Sequence, residues 1–108
     1  MTTFDERKNA FEKKFALDQD LKFKAESRRN KMLAEWAAAK LGISGPELED
    51  YIKAVRKADL QEKGDEDVFR KIREDFDAKN LAASDTEIRE AMLRFLETAV
   101  TQIQKEAK

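Results

Sequence analysis

The sequence predicts an all-α four-helix bundle, and three observations carry that prediction. Apolar residues recur at three- and four-residue spacings through four segments. No stretch alternates apolar and polar residues over strand length, and β-branched residues never cluster. The segments are divided by glycine, proline and helix-capping residues rather than by long linkers. At 108 residues the chain has room for one core and so for one domain. Short connections favour antiparallel neighbours.

The first helix is expected to start at Thr3, whose hydroxyl can cap it while Glu6 reaches back to complete a capping box. Nothing stops it before Leu41-Gly42. Its first half carries Phe4, Phe11 and Phe15, spaced by seven and four so that the three rings share one side. Asp18-Gln19-Asp20 then interrupts the apolar pattern. The following stripe is Leu21, Ala25, Met32 and Trp36, flanked by Leu33 and Ala37. It faces another way, because six residues at roughly 100° each separate Phe15 from Leu21. Residues 1–20 are therefore expected to form a separate amino-terminal segment and residues 21–108 the helical bundle. A segment at a terminus is able to stay flexible in the free protein and to finish folding on a partner.

Gly42-Ile43-Ser44-Gly45-Pro46 is the clearest break. A second helix follows, with Ser44 and Glu47 placed as a capping box, Leu48, Tyr51, Ile52, Val55 and Ala58 on its apolar face, and Gly64 as its end. Asp65 can cap a third helix, where Glu66 and Asp67 suit the positive end of the dipole and Val68, Phe69, Ile72 and Phe76 line one face. Asn80 suits its carboxyl end. Ser84 and Glu87 then supply a capping box for a fourth helix bearing Ile88, Ala91, Met92, Phe95, Leu96, Ala99 and Ile103, with the tail from Gln104 onward expected to fray. Glu49 with Lys53, Glu66 with Arg70 and Glu90 with Arg94 are spaced to add about 0.2–0.5 kcal/mol each to helicity.

Composition narrows the chemistry. Hydrophobic residues make up 41% and charged residues 42%, with 22 basic and 23 acidic side chains and a formal net charge of -1. Dense but balanced charge suits solvated helix faces. Cysteine and histidine are both absent, which removes disulfides, thiolate zinc sites, cysteine nucleophiles, serine–histidine triads and imidazole acid–base catalysis. A non-enzymatic protein without cofactors is expected. With no signal peptide and no long apolar run, it is expected to be soluble.

The acidic clusters Glu47, Glu49, Asp50 and Asp65, Glu66, Asp67 could be read as cation sites, but helix-start electrostatics explains them more simply and neither has calcium-loop spacing. Lys22, Lys24, Arg28, Arg29, Lys31 and Lys40 give residues 21–41 six bases against two acids. They spread around the helix, so a solvated or partner-facing surface is expected rather than nucleic-acid binding. Trp36, Tyr51 and Met32 are expected to be core rather than the lining of a ligand cavity.

At Phe23-Lys24-Ala25-Glu26-Ser27-Arg28-Arg29-Asn30-Lys31-Met32-Leu33 and on through Trp36-Ala37-Ala38, the chain resembles the alphaproteobacterial F-type ATP synthase inhibitor ζ subunit family. Thr3-Phe4-Asp5-Glu6-Arg7, Phe15-Ala16, Ala58-Asp59, Gly64-Asp65-Glu66-Asp67-Val68 and Arg70-Lys71 follow the same pattern in order. The resemblance implies a four-helix bundle whose amino-terminal segment inserts between α and β subunits of the catalytic head and blocks ATP hydrolysis, with the γ subunit a further candidate contact. It also implies a protein at the cytoplasmic face of the inner membrane through that partner, and one that is monomeric when free. The partner-binding residues that follow are Thr3, Phe4, Arg7, Lys8, Phe11, Lys14 and Phe15. Aromatic and arginine anchors suit a helix laid in a groove, and the lysines suit its rim, where Lys13 can join Lys8 and Lys14. The family often carries histidine near Phe11 and at Asp65, and this chain has neither.

Two other readings stay open at this level. The phenylalanines can pack on the bundle itself, as apolar helical stripes usually do. The same helix can also serve a different partner, and weak ATP or ADP binding is worth testing although no glycine-rich phosphate loop is present.

Overall fold

Two long helices and two short ones account for the described part of the chain, residues 19–60 and 66–106 of the computed structural model. They are α1 (Gln19–Leu41), α2 (Pro46–Ala58), α3 (Glu66–Ala78) and α4 (Asp85–Glu106), and no strand occurs among the described residues. At 1.5 Å per residue, α1 and α4 run about 33–35 Å and the other two about 20 Å. α1 touches all three other helices, α3 lies beside both α2 and α4, and α2 and α4 do not meet among the described residues. Ion pairs between opposite ends, Arg28 with Glu106 and Lys40 with Glu87, make α1 and α4 antiparallel.

The core has two parts because the helices differ in length. The larger part takes Leu33, Ala34, Ala37 and Ala38 from α1, Tyr51, Ile52 and Val55 from α2, Val68, Ile72 and Phe76 from α3, and Ile88, Ala91 and Met92 from α4. The smaller part joins Ala25 of α1 to Leu93, Ala99 and Val100 of α4. Trp36 stacks obliquely on Phe76, ring centroids 5.7 Å apart, bridging α1 and α3.

The buried stripe of α1 departs from the sequence expectation. Leu33 and Ala37, expected as flanks, are at its centre with Ala34 and Ala38, whereas Leu21, Met32 and Trp36 are only partly buried. A helix touching three neighbours needs small side chains where the backbones come close, so the alanines take the interior and the larger residues border it. In α4, Leu93 and Val100 join the core while Phe95, Leu96 and Ile103 lie at its edge.

Two helices end in the same way. Gly42 (φ 78) and Asn80 (φ 57) adopt the left-handed conformation. The next amides, of Ile43 and Leu81, donate back to the carbonyls of Ala38 and Phe76 at 2.9 Å, and both side chains then pack on the core. Asn80 serves as its sequence suggested. Ser84 does too, its hydroxyl accepting the Glu87 amide at 3.1 Å.

Other boundaries need correction. Gly45, not Ser44, is the amino-terminal cap of α2; it has φ 63 and no side-chain cap bond, and Pro46 takes the first turn. A positive φ suits glycine and puts Ser44 one residue outside the cap. α2 ends at Ala58 rather than Gly64, with the Asp59 amide closing on the Val55 carbonyl at 3.2 Å. α4, whose tail from Gln104 was expected to fray, is helical as far as Glu106. The expected caps at Thr3, Gly64 and Asp65 lie outside the described residues.

Candidate partner-binding surface

All seven sequence-predicted contact residues, Thr3, Phe4, Arg7, Lys8, Phe11, Lys14 and Phe15, lie outside the described residues. What the structure describes is the helix they lead into and how that helix is fixed. α1 is held along its interior face by Ala25, Arg29, Asn30, Leu33, Ala34, Ala37 and Ala38. Arg29 and Asn30 stand out, being polar and almost fully buried, with 1% and 2% of their surface exposed.

A small polar network explains them. Arg29 Nε donates to Asn30 Oδ1 at 3.0 Å, and Asn30 Nδ2 donates to Asp59 Oδ2 at 2.9 Å. The Arg29 guanidinium comes within 3.7 Å of Asp59 Oδ1. Asp59 sits at the carboxyl end of α2, where a negative charge is unfavourable against the helix dipole, so its place is set by the cation across the interface. Arg29 therefore does not belong to the basic surface expected from sequence: burial against α2 removes it. Nothing in the hydropathy pattern marks it apart from its neighbour Arg28.

Arg28 instead faces α4. Its guanidinium grips Glu106 with two bonds, at 2.6 and 3.0 Å, and donates to Gln102 Oε1 at 3.3 Å. These hydrogen bonds hold the Glu106 carboxyl below the usual carboxylate range and raise the arginine above its own. Lys40, another of the expected basic residues, lies 5.2 Å over the Trp36 ring and pairs with Glu87.

The remaining bases of α1 meet a set that the sequence reading passed over. Lys24 and Lys31 share a face of α1 with Phe23 and Ser27, and beside it α2 presents Lys53, Arg56 and Lys57, with Leu60 in the turn that follows α2. Spacing i, i+3, i+4 of Lys53, Arg56 and Lys57 on α2 was visible in the sequence, but only the packing of α2 on α1 joins the two faces. Phe23 and Leu60 are 70% and 79% exposed.

Elsewhere the polar groups are occupied structurally. Tyr51 donates its hydroxyl to Asp75 at 2.8 Å, and burial together with that bond pushes the phenol well above its usual range. Arg89 pairs with Glu66 and lies 3.9 Å over the Phe69 ring. Arg73 clamps Asp77, Asp85 and the Ala83 carbonyl, tying the turn between α3 and α4. Glu66 is thus paired, and buried Asp67 accepts the Val68 amide at 2.8 Å, which accounts for both as helix-start residues. No group of three or more candidate ligands that could hold a metal occurs among the described residues. No helix among them is long and apolar enough to cross a membrane.

Comparison with known proteins adds two findings. A family model described as ATPase inhibitor subunit zeta matches residues 1–102. A solved solution NMR structure is 41% identical, covers 80% of this chain and 98% of its own, and superposes with a TM-score of 0.68. No curated protein matches.

Proposed function

The chain belongs to the ATPase inhibitor subunit zeta family, and from that premise we propose that it restrains ATP hydrolysis by an F-type ATP synthase as a non-catalytic regulator. The observation that carries the reading is the family match, which spans the amino-terminal segment and the bundle alike. The lack of histidine and cysteine throughout the chain is in keeping with a regulator that works by occupancy rather than by chemistry.

In this reading residues 1–20 are the inhibitory segment, and residues 21–108 form the bundle that presents it. The segment lies as an amphipathic helix between an α and a β subunit of the catalytic head, so that the rotary cycle cannot proceed in the hydrolytic direction. Phe4, Phe11 and Phe15 are the buried anchors and Arg7 supplies a paired charge, while Thr3, Lys8 and Lys14 line the rim. Such a helix needs a firm root. Support comes from α1, whose start at Gln19 leads within two turns to the face buried in the bundle. The protein would then work at the cytoplasmic face of the membrane through its partner.

The test is inhibition of ATP hydrolysis by the purified catalytic head. The full chain is expected to inhibit, and Phe4→Ala, Arg7→Ala and Phe15→Ala should each weaken inhibition by roughly tenfold or more, as anchor residues do. Undiminished inhibition by all three variants would rule out the amino-terminal mechanism.

A further inference from the structure

Phe23 and Leu60 are large apolar side chains left open to solvent, and they stand on opposite sides of one groove between α1 and α2. The hollow they border has a volume of about 540 Å³ and adjoins a second of about 500 Å³. Space of that size admits several side chains of a partner rather than scattered water alone. Apolar groups framing a concavity are the usual mark of an interaction surface.

Charge specifies the occupant. Lys24, Lys31, Lys53, Arg56 and Lys57 line the same two hollows. Three acids share the lining: Asp59 is turned inward to Asn30 and Arg29, Glu106 is gripped by Arg28, and Glu26 stands among the five cations. The rim is therefore strongly cationic although the whole chain carries a formal net charge of only -1. A groove between two helices with apolar residues at its edges and cations around them suits an acidic amphipathic helix.

Position says where that helix is. Phe23 lies one turn beyond Gln19, at the end of α1 that leads into the amino-terminal segment. A segment held on the catalytic head brings this groove against the same body. We infer that the α1–α2 groove is a second docking surface, filled by an acidic helical segment on the outside of the catalytic head; the inference rests on the function proposed above. Tethering makes the second contact effectively intramolecular, so even a weak one prolongs the residence of the inhibitor.

The experiment compares the full-length protein with two groove variants, Phe23→Ala/Leu60→Ala and Lys53→Glu/Arg56→Glu, against the purified catalytic head. The milder Lys53→Gln/Arg56→Gln replaces the charge reversal if circular dichroism shows that variant unfolded. Each is expected to raise the Kd for inhibition by about tenfold or more while inhibition at saturating protein stays complete, with the parent's salt dependence reduced in the charge variants. Zero-length carbodiimide coupling of the parent complex should join Lys53 or Lys57 to carboxylates of the head. Parental Kd values in both variants, with no such coupling, overturn the inference. So does charge-variant-sensitive binding to vesicles of anionic phospholipid with an unchanged Kd for the head, which would assign the groove to a membrane surface. If the parent fails to inhibit, the proposed function falls, and coupling decides the groove separately: links to the head support docking, their absence refutes it.

Discussion

Replacing Asp59 with alanine tests the polar network that fixes α1 to α2. The substitution removes the carboxylate 3.7 Å from the Arg29 guanidinium and takes from Asn30 Nδ2 an acceptor at 2.9 Å, while Arg29 stays 1% exposed. Breaking a buried ion pair from one side typically costs about 3–5 kcal/mol. Two features of the site reduce that. Asp59 is 18% exposed, so water can partly replace it, and losing a negative charge from the end of α2 returns about 0.3–1 kcal/mol of dipole energy. The expected loss is about 2–4 kcal/mol, a large share of the roughly 5–15 kcal/mol that stabilises a domain. Urea unfolding followed by circular dichroism measures it, and the melting temperature should fall by about 10–20 °C. Adding Arg29→Met removes the buried charge, so the double variant should be more stable than Asp59→Ala alone by about 1 kcal/mol or more. A single-variant loss below about 1 kcal/mol, or simple additivity in the pair, would refute the view that the charges depend on each other.

Phe76→Ala empties the centre of the larger core, where Phe76 is fully buried under Trp36, and should cost about 3–5 kcal/mol by the same unfolding measurement. Asn80→Gly should match or exceed the parent's stability, whereas Asn80→Ala should lose about 1 kcal/mol, because φ 57 crowds a methyl but not a hydrogen. Tyr51 is the only tyrosine, so its ionisation can be read cleanly from tyrosinate absorbance. The folded phenol holds its proton more tightly than the unfolded one, so its contribution is intact below the ordinary tyrosine range and is lost as pH rises above it. Tyr51→Phe should abolish that alkaline loss and cost about 1 kcal/mol at neutral pH through the missing bond to Asp75.

Much of the fold was legible. The capping box at Ser84, the left-handed residue at Asn80 and the break at Gly42 act locally, through a few neighbouring backbone groups, so their residues announce them. The strongly one-sided faces of α2 and α3 were equally plain, since Val55, Val68, Ile72 and Phe76 fall at helical spacing and are all fully buried. α1 was harder. It faces three helices at once and its interior mixes alanine, arginine and asparagine, which blurs the apolar contrast that pattern reading relies on. Of the surface, the two halves of the cationic groove could be seen singly along α1 and α2 but not joined.

Among the described residues, the sequence by itself determined that there are four helices, where α1 and α3 end and where α4 begins, together with a chemistry without histidine or cysteine, because caps, spacing and composition are properties of contiguous residues. Tertiary structure alone decided that neighbouring arginines part company, Arg28 to Glu106 at the surface and Arg29 to Asp59 in the interior. It also decided that Phe23 and Leu60, thirty-seven positions apart in the chain, border one groove. The physical reason is that a helix fixes which residues share a face, but only packing fixes which neighbour each face meets and how much water is left between them.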